Sequence, residues 1–297
     1  MSKFINPFTD WGFKHIFGKK EFLINFLNSL FEGEHVITDI RYLNNERLPE
    51  QIGMRKVIYD IFCETESGEH IIVEMQNRWQ EHFQDRALFY MSKSIVGQGI
   101  RSTEWNYKLM AVYGVFFTNF LLDREQTDHF CRDVMLIDRH TGKVFNRKFR
   151  QIYIELPRFL KRKEDCENFF ECWIYNLINM NKMDEISFKD KQEIFSRLEK
   201  VASQANLSDE ERARYEAEWK IYNDYFNTIE SAKKRANEEG REEGRAEGRA
   251  EGREEGRAEG ELKAKIESAR KMKAMNFPTE TICQITGLSL EEIKDIQ

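Results

Sequence analysis

The chain has 297 residues, with 46 Lys and Arg against 52 Asp and Glu, a net charge of −6 and 33% charged residues. With 40% hydrophobic and 13% aromatic residues it can bury a core, which excludes a disordered polyelectrolyte. The longest apolar run, Leu109–Phe117, is too short for a membrane helix, no secretion signal opens the chain, and the five cysteines (63, 131, 166, 172, 283) lack metal-ligand spacing. A reduced, cytoplasmic protein with no membrane partner is expected, and the acidic total argues at first against nucleic acid.

In chain order, Glu21–Phe31 carries apolar residues at helical spacing and stops before Gly33. Val36–Leu43 reads as a strand, Lys56–Glu64 and His70–Gln76 as two β-rich runs around a short polar turn, and Arg86–Val96 as a helix. Leu109–Phe117 is the continuous apolar run of a central strand covered on both faces. Val134–Asp138 and Gln151–Glu155 are further strands, with Thr141-Gly142 in the turn between them. After Pro157 the pattern turns helical over Asn168–Met180, Phe188–Ser203 and Asp209–Ile229, the last opened by a Ser208/Glu211 capping box. The order α-β-β-β-α-β-β-β followed by helices predicts a mixed α/β (α+β) core.

From Glu238 to Glu261 glycine recurs at 240, 244, 248, 252, 256 and 260, with rows of glutamate and arginine at the same spacing. Glycines and like-charge rows disfavour a lone helix, whereas two helices can set an arginine row against a glutamate row. Two readings stay open: a flexible spacer, or a self-associating helix that makes a homo-oligomer. A period of four exceeds 3.6, so any supercoil would be right-handed. Beyond it, Leu262–Met275 is an amphipathic helix, Asn276-Phe277-Pro278 breaks it, Thr279–Thr286 ends at Gly287, and Ser289/Glu292 caps a last helix. The outline is that of a helix-turn-helix, yet Glu291, Glu292 and Asp295 in the last helix would repel phosphates, which favours a docking module.

The chemistry concentrates in residues 57–76, VIYDIFCETESGEHIIVEMQ. Strand alternation puts Ile72, Glu74 and Gln76 on one face, and a carboxylate buried there requires compensation. A two-residue loop at Ser67-Gly68 would pair Asp60 with Met75; a three-residue loop, Glu66-Ser67-Gly68, pairs Asp60 with Glu74 and puts Gly68 in the left-handed position that suits glycine. The three-residue loop is expected. It makes the two carboxylates and a strand amide a site for a hard cation, Mg²⁺ or Mn²⁺. The competing reading is a pair of edge-strand acids bonded to local backbone.

At this hairpin the chain resembles the PD-(D/E)xK nuclease superfamily, and more narrowly its bacterial recombination-promoting nuclease and transposase family. The matching stretches are NPFTDWGFKHIFG (6–18), Asp60…Glu74-x-Gln76, the Arg86/Tyr90 helix, IELPRF (154–159), ECWIYNLI (171–178), the EGR repeats and ITGLSLEEI (285–293). The resemblance implies a restriction-endonuclease-like αβββαβ core and metal-dependent endonucleolytic cleavage of DNA in recombination or transposition. It implies that Asp60, Glu74 and the Met75 carbonyl hold the metal, and that Gln76 stands where the superfamily most often has lysine. A glutamine positions water but brings no charge, so a catalytically silent module that binds DNA or protein is the alternative. The resemblance also suggests Asp10 as a third carboxylate or phosphate contact, against a plain helix start at Thr9 or Asp10. The corresponding domains are a nuclease-like core at 1–165, a helical extension packed on it at 166–237, the repeat at 238–261 and the helical module at 262–297.

Arg86 can contact the scissile phosphate, against a salt bridge to Glu81 or Asp85. DNA-binding candidates are Lys14, Lys19, Lys20, Arg147, Lys148 and Arg150, weighed against the ordinary solvated face. Finally, Glu238–Glu261 holds ten glutamates and five arginines, net −5, and 262–297 is net +1, which leaves 35 basic and 37 acidic groups in residues 1–237. The acidity belongs mostly to the repeat and does not speak against DNA.

Overall fold

A computed structural model describes residues 2–47, 56–99, 106–123 and 129–296. The elements before the sheet's centre are α1 (Asp10–Phe17), α2 (Lys20–Leu30), β1 (Ile40–Tyr42), β2 (Glu46–Arg47), β3 (Val57–Ile58), β4 (Ile61–Thr65) and β5 (His70–Gln76). They are followed by α3 (Phe83–Val96), β6 (Val112–Thr118), β7 (Cys131–Ile137), β8 (Val144–Glu155), α4 (Phe169–Asn179) and α5 (Glu193–Ala202). The long helix α6 (Asp209–Ala274), α7 (Thr279–Thr286) and α8 (Leu290–Asp295) complete the chain. The chain divides into two compact units, Met1–Asn223 and Asp224–Gln297.

In the first unit six strands form one mixed sheet in the order β1-β4-β5-β6-β8-β7, parallel across β5, β6 and β8 and antiparallel elsewhere. The strand β6 is buried along its whole length, because its faces meet different layers. Tyr113, Val115 and Phe117 join Ile71, Val73 and Ile154 under α1, α2, α4 and α5, where Phe13, Phe17, Phe26 and Trp173 close the larger core. Val112 and Phe116 turn the other way, with Ile72, Tyr153 and Phe62, onto Phe83, Ala87 and Met91 of α3. Helix α3 approaches so closely that a Cβ on Gly114 would lie 2.6 Å from the Met91 sulfur. The α2-β1-β4-β5-α3-β6 run is the expected αβββαβ arrangement.

Several boundaries differ from the sequence reading. The run Lys56–Glu64 is not one strand: it breaks at Tyr59-Asp60, where Asn45 binds the chain through Tyr59 N–H (2.9 Å) and the Asp60 carbonyl (2.8 Å). Its first part, β3, pairs with β2 in a separate two-stranded sheet. Only Ile40–Tyr42 of Val36–Leu43 is strand, since Ile37 exchanges hydrogen bonds with the Asn28 side chain instead of a ladder. The helix expected from Phe188 begins at Glu193, because Phe188 adopts a left-handed φ of 64°. The strand around Gln151–Glu155 starts earlier, at Val144, extended by pairing with β7 around Gly142 (φ 68°).

The N-terminal segment is fastened by residues two hundred positions away. Phe4 bridges to Ser203, Ile5 N–H donates to the Ala202 carbonyl at 2.9 Å, and Gln204 N–H to that of Lys3 at 3.1 Å. Tyr215 of α6 accepts from Asn6 N–H at 3.0 Å. Thr9 then caps α1, accepting from Gly12 N–H at 3.0 Å, while Phe13, Ile16 and Phe17 enter the core.

In the second unit the repeat is helical throughout, with its residues exposed and nothing beyond the helix's own adjacent backbone within 4 Å of where a Cβ would stand on any of its six glycines. A small core of Ala269, Ile282, Leu288, Ile293 and Ile296 holds α7 and α8 to the end of α6, with Gly287 at φ 72° and the Ser289/Glu292 capping box in place. No described helix is long and apolar enough to cross a membrane.

Candidate active site

The β4–β5 hairpin sets the geometry. Its register runs Ile61↔Val73, Phe62↔Ile72, Cys63↔Ile71 and Glu64↔His70, so the loop is the three-residue one, with Gly68 left-handed at φ 81°. Gly68 N–H closes it on the Thr65 carbonyl at 2.9 Å. Extended by one position, this register sets Asp60 opposite Glu74. One hydrogen bond joins them directly, Asp60 N–H donating to Glu74 Oε1 at 3.1 Å, and a second ties Asp60 to the next residue, its Oδ2 accepting from Met75 N–H at 2.8 Å. Glu74 is 4% exposed, and the Asp60 side chain keeps 23% of its surface open.

One oxygen of each carboxylate is therefore held by backbone, and the other faces a cation at ion-pair distance. Lys14 of α1 has its Nζ 4.0 Å from Asp60 Oδ1, and Arg86 of α3 has Nη2 3.7 Å from Glu74 Oε2. Neither cation donates a hydrogen bond to its acid, and burial outweighs both charges. Burial, then the Asp60 charge, pushes the Glu74 carboxyl up to about 8. Burial likewise raises that of Asp60, against the Met75 N–H and the Lys14 charge, which lower it. For Lys14, burial pulls the ammonium downward, but its hydrogen bond to Asp10 and the charges of Asp10, Asp60 and Glu74 outweigh it and the net shift is upward.

Gln76 lies two residues beyond Glu74 on the α3 face. Its Oε1 accepts from Arg86 Nη1 at 3.3 Å, and its Nε2 donates to the Arg78 carbonyl at 3.0 Å. Arg86 Nη1 also donates to Gln80 Oε1 at 3.0 Å, and its guanidinium lies 4.8 Å from the Tyr90 ring centroid. The ion pair of Arg86 thus goes to Glu74 rather than to Glu81 or Asp85. Beside it opens a cleft of about 640 Å³ lined by Gln80, His82, Asp85, Arg86, Phe89 and Tyr90.

Asp10, at the first turn of α1, binds Lys14 Nζ at 2.7 Å. Among the described residues no group of three or more His, Cys, Asp or Glu side chains is arranged to hold a metal. The donor set here is two carboxylates, hard oxygen ligands that suit a divalent cation retaining several waters.

The remaining basic candidates separate. Lys14 is at the site, while Lys20 is paired with Asp39 at 2.9 Å and Lys148 donates to the Leu109 carbonyl at 2.7 Å. Arg150 aligns with Tyr113 and Ile71, three residues and so about 10 Å short of Glu74 along the sheet. It is 8% exposed, clamped by Glu34 and Asp133; Arg147 and Lys148 lie further along the same strand. The sequence reading missed Gln80 and Asn45, which no local pattern marks. Lys14, a DNA-binding candidate, pairs with Asp10 across a helical spacing of four that is visible in the sequence.

Against known proteins, the model of the PD-(D/E)XK nuclease family transposases matches residues 7–232. No curated protein and no solved structure matches the chain. The family match covers α1, the Asp60–Gln76 hairpin and Arg86, and it spans well over half of the sequence. The chain therefore belongs to the PD-(D/E)XK nuclease family transposases, and a nuclease- or transposase-like activity follows from that membership.

Proposed function

We propose that the protein is a divalent-metal-dependent DNA endonuclease acting in recombination or transposition. The observation that carries this reading is the pairing of Asp60 with the buried Glu74 across the hairpin, two carboxylates side by side, each with one oxygen held by backbone and the other left for a cation. Asp60, Glu74 and the Met75 carbonyl would hold Mg²⁺ or Mn²⁺. When bound, the ion supplies Lewis-acid charge to the phosphate and to the attacking water. Gln76 orients that water through its amide, and Arg86 fixes the Gln76 amide by its 3.3 Å hydrogen bond. Arg86 also steadies Glu74, and its guanidinium borders the open cleft where a strand would lie.

Gln76 supports a second reading, a silent nuclease fold that binds DNA or protein without cutting. The exposed glycine face of the repeat, flanked by rows of opposite charge, supports self-association into a homo-oligomer, which light scattering on the full chain tests. Plasmid cleavage with and without Mg²⁺ tests the main reading: the wild type cuts only with metal, and Asp60→Ala and Glu74→Ala do not cut. Cutting that survives both substitutions refutes the site, and a wild type that binds DNA but never cuts it selects the second reading.

A further inference from the structure

Breaking a phosphodiester builds negative charge on the phosphate oxygens, and a fixed cation in contact with them is a large part of such catalysis. The amide of Gln76 has no net charge to offer. Two cations reach the carboxylate pair, and they are not equivalent. Arg86 is committed: its guanidinium serves Gln76 and Gln80, faces Glu74 and lies on Tyr90. Lys14 is not. Its ammonium has three N–H donors, Asp10 takes one at 2.7 Å, and Asp60 at 4.0 Å is beyond hydrogen-bond reach. The side chain is 41% exposed, open to an incoming ligand.

Helix α1 fixes where that ammonium stands. Thr9 caps the helix, Phe13, Ile16 and Phe17 are buried, and Trp11 stacks on His15 with ring centroids 4.3 Å apart. One turn separates Asp10 from Lys14, so the carboxylate lies beside the ammonium and holds it on the Asp60 side. The neighbouring cation Lys20 is paired elsewhere, with Asp39.

We propose that Lys14 supplies, from α1, the positive charge at the scissile phosphate that Gln76 cannot supply from β5, with Asp10 as its positioning residue. This rests on the endonuclease reading and assigns the site a cation from a different element than the metal-binding hairpin.

The test combines single-turnover plasmid cleavage with the Mn²⁺-induced rise in melting temperature, for wild type, Lys14→Met, Lys14→Arg, Asp10→Asn, and Lys14→Met combined with Gln76→Lys. Expected are a loss of cleavage of about 100-fold in Lys14→Met, a loss within about tenfold in Lys14→Arg, and an intermediate loss in Asp10→Asn. The Mn²⁺ shift persists in all of them, since neither Lys14 nor Asp10 is a ligand. Gln76→Lys in the Lys14→Met background restores cleavage at least about tenfold, because the charge returns from the neighbouring strand. Cleavage by Lys14→Met within about threefold of wild type overturns the inference. So does failure of Gln76→Lys to restore it with the Mn²⁺ shift intact, and so does loss of that shift in Asp10→Asn, which would make Asp10 a ligand. A wild type that takes up Mn²⁺ and never cuts refutes the endonuclease reading itself, and is told apart by needing no variant.

Discussion

Replacing Glu74 by glutamine should stabilise the metal-free protein at neutral pH while abolishing its response to metal. Burial and the facing Asp60 raise the Glu74 carboxyl from 4.5 to about 8. A carboxyl whose pKa rises on folding favours the folded state while protonated in both states. That advantage is lost as pH climbs from the unfolded value towards the folded one. Between pH 4.5 and 7 the wild type should lose at most about 3 kcal/mol, at 1.36 kcal/mol per pH unit. Relaxation of the pair and sharing of the proton with Asp60 reduce this to about 1–3 kcal/mol. Glutamine keeps an oxygen to accept from Asp60 N–H and does not titrate. Urea unfolding in EDTA at pH 5 and pH 7.5 checks the reasoning: Glu74→Gln gains about 1–3 kcal/mol over wild type at pH 7.5, and the gain shrinks at pH 5. A variant no more stable than wild type at pH 7.5 would mean that burial and the facing Asp60 do not hold the Glu74 carboxyl up, and the argument from the buried acid would fall.

Mn²⁺ or Mg²⁺ should raise the melting temperature more at pH 8 than at pH 5.5, since protons compete for the two carboxylates, and Asp60→Asn should remove the effect; equal shifts at both pH values would exclude these ligands. Gly68→Ala places a side chain at φ 81° with its Cβ 3.0 Å from Met110 Cε, and a stability loss of about 1–2 kcal/mol in urea melts is expected. Trp173→Ala removes a fully buried ring whose indole N–H donates to Asn25 Oδ1 at 2.9 Å, and should cost about 3–5 kcal/mol by the same assay.

The elements that were legible in the sequence are those specified by local chemistry. Gly68 and Gly142 marked their turns, Ser208 and Ser289 their caps, and the apolar run of β6 its doubly covered position. Register follows from loop length, so the facing of Asp60 and Glu74 is written in the Glu66-Ser67-Gly68 turn itself. What escaped depended on distant partners. The break at Tyr59-Asp60 is held by Asn45, the shortened β1 follows from Asn28 capturing Ile37, and Phe188 delays its helix in a left-handed conformation. The partners of Arg150 were hidden for the same reason: its carboxylates stand on β7 and after α2, far away in sequence. Lys14 sits at the carboxylate pair through a helix–hairpin contact that no spacing encodes.

The fastening of residues 3–6 by residues 202–215 has a consequence for synthesis of the chain. The β4–β5 hairpin is local and can close soon after it leaves the ribosome, but α1 has no complete support until Tyr215 has emerged. Asp60 and Glu74 can therefore meet early in translation, while the segment leading into the helix of Asp10 and Lys14 gains its fastening last. A nascent chain stalled before residue 202 would lack the partners that fasten residues 3–6, the segment leading into the helix of Asp10 and Lys14.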